Sequence, residues 1–248
     1  MYADSNAGRD YGAPIKWLVR LVGVFALTNV LLIASGVLLR PTSAVGVFQM
    51  LGVIAPISVQ IGYWLLWRST FWANVPHARH VWRLGSLFGF AAGFVLSSEI
   101  LLEYIILPNA AWNVRLGWIE FGTVFVLLAT SAFYSSFTTG SIRTGLRVSA
   151  AAAMISSQMW VTTLWIATYA FWRTLRQQSV FRAEGDYEDF ARSGMKDFSS
   201  FTLQDLRGAS FFHSVLGPFI AIILGFVAAG LAMLLRRIQI GTPSTGEQ

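Results

Sequence analysis

Hydrophobic and polar positions divide the chain into long apolar runs separated by short polar or basic stretches. Residues 16–39 are apolar apart from Lys16, Arg20, Thr28, Asn29 and Ser35, and Arg40-Pro41 ends the run. A second run covers 45–67, with Pro56 inside it and Gln49 and Gln60 as its strongest polar groups. Further runs cover 84–107, 112–133, 146–172 and 211–235, and the last stops at Arg236-Arg237. A helix needs roughly 20 apolar residues to cross the hydrocarbon core of a bilayer, and each run is long enough. The pattern predicts an all-α fold, a polytopic transmembrane helix bundle of six spans over residues 15–237. A polar tail (1–14) precedes it and a second tail (238–248) follows. A cleaved signal peptide competes for the first run. Its core is long for that, and no small-x-small site precedes a polar start, so an uncleaved span is expected.

The segment 177–209, between the fifth and sixth runs, has a different pattern. Asp186 followed by YEDFARS and Gly194 predicts a short helix with an Asp cap and a glycine stop. Thr202 with Asp205, ending at Gly208, predicts a second. Phe181, Tyr187, Phe190, Phe198 and Phe201 supply an apolar side. Two short amphipathic helices are therefore expected here, lying on the membrane surface or capping the bundle.

The third run combines two unusual features. Gly85, Gly89, Gly93 and Ser97 recur every four residues, which gives a helix a continuous small-residue stripe suited to close packing. The stripe serves packing within the monomer or a homodimer face. The same run holds Glu99 and Glu103, and the fourth holds Glu120. At about 100° per residue, Glu103 falls in line with Gly85 and Glu99 about 40° to one side, so both look towards protein. A tight turn between the third and fourth runs then puts Glu99 and Glu120 at similar depth. Carboxylates at bilayer depth are costly to ionise unless a proton, a cation or a basic group accompanies them. Arg115 and His213 are the nearby groups expected to modulate these three. The competing arrangement pairs Glu103 with Arg115 and leaves Glu99 and Glu120 hydrogen-bonded to Tyr104, Ser97, Ser98 or Gln49. Asn29, Gln60 and Gln158 are read as interhelical hydrogen-bonding groups.

Composition narrows the function classes. The chain is 55% hydrophobic and only 12% charged, about half the charge of a soluble domain, which selects the membrane. Its formal charge of +6 lies mainly at the edges of the apolar runs, where topology and anionic headgroups use it, so no nucleic acid is expected. With the amino terminus in the cytoplasm, the inner segments hold Arg9, Lys16, Arg20, Arg68, Arg79, Arg83, Arg143, Arg147, Arg236 and Arg237. The two short outer loops hold Arg40 and Arg115. The segment 173–210 runs against this count, with as many basic as acidic residues. The expectation is a multi-pass inner (plasma) membrane protein with both termini cytoplasmic. The basic loop 68–83 is a candidate contact for anionic lipid, and its His77 and His80 lack a nearby carboxylate for a metal.

Cysteine is absent, which excludes disulfides and thiolate chemistry. Glu184, Asp186, Glu188 and Asp189 lack calcium-loop spacing and read as a solvated helix start. No phosphate-binding glycine loop, catalytic triad or haem-type histidine pair is present, so no cofactor, metal or enzymatic reaction is indicated. Besides an intramembrane enzyme, for which no nucleophile has an identifiable base, two function classes remain. One is proton- or cation-coupled transport of a small solute through Glu99, Glu103 and Glu120. The other is a non-catalytic subunit or assembly scaffold of a larger membrane complex, or a homo-oligomer.

Overall fold

A computed structural model of the chain describes residues 13–68, 77–105 and 110–241. The part of the basic loop at 69–76, the turn at 106–109 and most of both tails lie outside the described residues. The fold is all-α. Its helices are α1 (Ala13–Leu39), α2 (Val47–Arg68), α3 (Ala78–Ile105), α4 (Ala110–Thr139), α5 (Ile142–Ala170), α6 (Leu175–Glu184), α7 (Asp186–Ser193) and α8 (Phe198–Gly241), with a 3₁₀ turn at Pro41–Ala44. The 3₁₀ turn, the end of α3, the start of α4, the end of α5 and both short helices gather at one end of the bundle, here called the cap end.

Among the described residues, five helices are long and apolar enough to cross a membrane: α1, α2, α3, α4 and α8. Their outward faces carry large exposed apolar side chains such as Leu38, Phe48, Phe94, Trp118, Val126 and Phe226. An apolar surface of that extent needs lipid rather than water around it. These helices fit an integral, multi-pass membrane protein. The remaining long helix, α5, is less apolar because it lies inside the ring formed by the others. Most of its length is buried, including Ala151, Ala152, Ala153, Ser156, Ser157 and Gln158. A helix that meets protein on most sides does not need a lipophilic surface, so alanine and serine serve it better than leucine.

The stripe on α3 is what lets α5 sit so close. A Cβ added to Gly85 would stand 2.7 Å from Ala151 Cβ, and one added to Gly89 would stand 2.9 Å from the Ala152 carbonyl oxygen. At Gly93 the nearest atom would be Met159 Sδ at 2.6 Å. One turn further on, Thr163 Oγ1 donates to Ser97 Oγ at 3.0 Å. The stripe is therefore filled by α5 of the same chain.

Polar side chains cross-link the helices around α5. Asn29 Nδ2 donates to Gln60 Oε1 (3.2 Å) and to the Gln158 carbonyl (3.1 Å), while its Oδ1 accepts from Thr162 Oγ1 (2.7 Å). Gln60 Nε2 donates to Ser214 Oγ at 3.1 Å, and the Tyr63 hydroxyl donates to the Ser214 carbonyl. One layer thus joins α1, α2, α5 and α8. Ser149 Oγ reaches the carbonyls of Leu128 (3.1 Å) and Ala221 (3.0 Å), which ties α4, α5 and α8. Each such bond contributes about 1 kcal/mol or less in a membrane, so their number matters more than any single one.

The cap departs from the expected pair of short helices. α7 spans the predicted DYEDFARS stretch, and Gly194 ends it at φ 71°. Its start is Gly185, at φ 85°, and Asp186 makes no capping bond. The second expected helix does not exist separately. Gly208 lies inside α8, which begins at Phe198 and continues for 44 residues. Asp197 starts it, accepting from Ser200 N (3.0 Å) and Ser200 Oγ (2.6 Å). A 44-residue helix is about 65 Å long, roughly twice a bilayer's hydrocarbon core, so its first turns project beyond that core. The aromatic side chains of the cap pack together: Tyr187 stacks on Phe198 at 4.6 Å, with Phe181 and Phe190 each 5.3 Å from Phe198. They roof the bundle instead of lying on the membrane. Arg207, fully buried in α8, fastens the 3₁₀ turn beneath this roof by donating to the Ser43 carbonyl (2.9 Å) and Ser43 Oγ (2.8 Å).

Two glycine substitutions test the packing. Gly89→Ala meets backbone of α5 and should lower stability by about 1–3 kcal/mol. Gly122→Ala, at a position with nothing within 4 Å, should leave stability unchanged or slightly raised. Thermal unfolding of both variants in the same mild detergent measures the difference.

Candidate binding cavity

Beneath the aromatic roof is a cavity of about 310 Å³. The same helical spacing builds each wall, since residues four apart share a face. α3 supplies Glu99 and Glu103 with Ile100 and Tyr104, and α5 supplies Trp160 and Leu164. α8 supplies Phe201, Asp205, Ala209 and His213 on one face, with Thr202 and Leu206 beside them. Phe121 of α4 closes one side, and Phe181, Glu184 and Asp186 come down from the cap. Five carboxylates thus line the space. Among the described residues, no lysine or arginine lines it.

The residues predicted from sequence are distributed as follows. Glu99 and Glu103 line the cavity. Glu99 Oε1 packs against α4, where it would stand 3.1 Å from a Cβ on Gly117. Glu120 lies just behind this wall, 7% exposed, close enough to Glu99 and Glu103 for their charges to interact. Its Oε2 is buried and has no hydrogen-bond partner. The neighbouring hydroxyls are engaged elsewhere: Ser98 Oγ donates to the Val95 carbonyl at 2.6 Å, and Ser97 Oγ accepts from Thr163. His213 lines the cavity, with its ring stacked on Trp160 at 3.7 Å between centroids and near Phe121 at 6.2 Å. Arg115 is exposed at the start of α4 and is not part of the lining.

Glu184, Asp186 and Asp205 are lining residues that the sequence pattern had assigned elsewhere. Glu188 and Asp189 are exposed outside the lining, as a solvated helix start should be, whereas Glu184, also exposed, and half-buried Asp186 line the cavity. Asp205 was separated from His213 by reading Gly208 as a stop. In a continuous helix, the four-residue spacing of Phe201, Asp205, Ala209 and His213 gives one face, and that spacing was available as a signal.

Crowded carboxyls outside the spanning segments hold protons unusually well. Burial first, then the charges of Glu103 and Asp186, raise the Glu184 carboxyl above its ordinary range, and it shares a hydrogen bond with Glu103. Glu184 retains accessible surface, as a cavity-lining side chain does, while dense protein around it desolvates the carboxyl. Asp186 is pushed up to about 7, by burial first and then by the charges of Asp205, Asp189, Glu103 and Glu188. Like charges that share a small space cannot all ionise cheaply. Among the described residues, no three carboxylate or imidazole groups converge as a metal-ion site. The carboxylates are spread around the walls instead.

A second cavity, of about 260 Å³, adjoins the first deeper in the bundle. It is mainly apolar, lined by Leu96, Val124, Leu128, Leu216 and Ile220 among others, and it shares Phe121, Trp160 and His213 with the acidic cavity. Those three rings form the partition between the two spaces.

Fold and site together define an all-α integral membrane bundle with an acid-lined cavity under a cap. Compared with known protein families, curated proteins and solved structures, the chain shows no match, so its function is argued from its own residues.

The raised Asp186 carboxyl has a definite pH signature. Its folded value, about 7, exceeds its ordinary 3.8, so the native state binds the proton more tightly than the unfolded chain. Stability from this group is therefore present at low pH and lost as pH rises through about 7. Asp186→Asn should stabilise the protein by on the order of 1 kcal/mol near pH 8, discounted for solvent screening, and by nothing near pH 4. Melting temperatures of the two proteins at both pH values measure this.

Proposed function

We propose that this chain is a membrane protein that binds a proton or cation in its capped acidic cavity and couples that binding to passage of a small solute. The observation that carries the reading is the lining itself, in which carboxylates from α3, α6, α7 and α8 meet beside the His213 ring with no lysine or arginine among the described residues. Salt bridges that only hold a fold together bring opposite charges into contact. This arrangement brings like charges together, at a free-energy cost that a bound proton or cation offsets. Glu99 and Glu103 act as binding carboxylates, Glu120 supports them from behind, and Glu184, Asp186 and Asp205 complete the ring. His213 sits at the partition, where it modulates access to the deeper space.

The orientation follows from charge. Arg20, Arg79, Arg83, Arg143, Arg147, Arg236 and Arg237 lie towards the end opposite the cap, which the positive-inside rule places in the cytoplasm. The acidic cavity then opens towards the outer side of a plasma (inner) membrane, with both termini inside. A non-catalytic subunit is the other reading. The small-residue stripe offers it no docking face, because α5 occupies that stripe.

Proteoliposomes with a pH-sensitive dye inside and an imposed pH gradient test the coupling. Solutes from a small-molecule panel that the protein carries should speed collapse of the gradient. The variant Glu99→Gln/Glu103→Gln should slow that collapse by about tenfold or more, equivalent to loss of charge-assisted contacts. Correctly folded variants with unchanged collapse rates contradict the proposal.

A further inference from the structure

The solute class can be narrowed, on the reading above that the cavity is a binding site. We infer that the cavity takes a small organic ammonium ion bearing an apolar group, with the cation among the carboxylates and rings and the apolar part towards the partition. Three independent observations converge on this chemistry.

The first is the mixture of walls. Carboxylates and aromatic side chains are mixed, and Trp160, Phe121, Phe181 and Phe201 line the same space as Glu99 and Asp205. A bare metal ion has no use for aromatic walls, and no three ligands converge on a point among the described residues. An ammonium ion uses both, through charge-assisted hydrogen bonds to carboxylates and cation–π contact with rings. The volume, about 310 Å³, is at the lower end for small-molecule sites and large for an ion.

The second observation is Glu120. It is 7% exposed, close enough to Glu99 and Glu103 for their charges to interact, and Oε2 has no partner. A buried carboxylate oxygen without a donor is costly, and the positive charge of an ammonium held beside Glu99 and Glu103, in front of this wall, offsets part of that cost.

The third is the adjoining apolar cavity. It shares the rings of Phe121, Trp160 and His213 with the acidic one. A ligand whose charged end stays with the carboxylates can place an apolar group against these rings, and movement of the His213–Trp160 stack would open the space beyond. An inorganic cation gains nothing from that space.

Benzylammonium, the protonated form of benzylamine at neutral pH, is a suitable probe, with benzyl alcohol as the neutral comparison and calcium chloride as the inorganic one. Titration of the purified full chain, followed by isothermal calorimetry and tryptophan fluorescence, should show saturable binding of the first only. Asp205→Asn should weaken it about tenfold, and Trp160→Leu about three- to tenfold. Circular dichroism establishes that each variant is folded, and Glu103→Gln replaces Asp205→Asn if the latter is not. Equal binding of benzyl alcohol, binding of calcium in preference to the ammonium probe, or affinity unchanged in every folded variant overturns the inference. Reversible proton uptake by the purified protein is measured in parallel. Proton uptake without ammonium binding refutes the solute class and leaves the coupled-binding proposal intact, whereas loss of both refutes the two together.

Discussion

Close approach of α3 to α5 is the constraint on which the rest of the structure depends. Gly85 and Gly89 let the two backbones meet at distances that no side chain would allow. That contact draws α5 into the interior, away from lipid. Once there, α5 can carry Ser149, Ser157, Gln158 and Thr162, whose polar groups or backbone hold α1, α4 and α8 around it. A more lipophilic α5 would be free to move outward, and those cross-links would have no centre.

The same contact ends where the cavity begins. Along α3 the side chains facing the interior change from glycine to serine and then to glutamate, so the helices pack tightly at one end and leave room at the other. The cap fills that opening only partly. Its aromatic residues pack on one another around Phe198 and leave the acids of α6, α7 and α8 pointing towards those of α3. Tight packing below and a rigid roof above keep like charges together that would otherwise separate. Arg207 adds to that rigidity by fixing the 3₁₀ turn to α8 through Ser43.

How far the sequence could be read depended on the range of the physics involved. Helix formation in a bilayer is local, and the apolar runs located the long helices without reference to one another. The run 146–172 reads as one span among six, whereas α5 meets protein on most sides, a property no single stretch can express. The carboxylates of α3 were legible through helical periodicity, since Glu99 and Glu103 share the protein-facing side with the glycines. Glu184 and Asp186 were not, because an acidic helix start looks alike whether it faces water or a cavity. Asp205 was lost to a local rule: glycine often stops helices, but Gly208 has no left-handed backbone and the chain continues through it. In α8 the many apolar residues on either side outweigh the modest helix cost of one glycine.

Proton or cation coupling, as proposed, requires a hydrated cavity in which neighbouring carboxyls share protons at neutral pH. Infrared difference spectroscopy of the carbonyl stretch of protonated carboxylic acids observes that state directly. The prediction is a protonated-carboxyl band at neutral pH that shifts promptly in heavy water, because the cavity is accessible, and that weakens in Glu184→Gln. A spectrum without such a band at neutral pH, or with one that neither exchanges nor responds to Glu184→Gln, would contradict it.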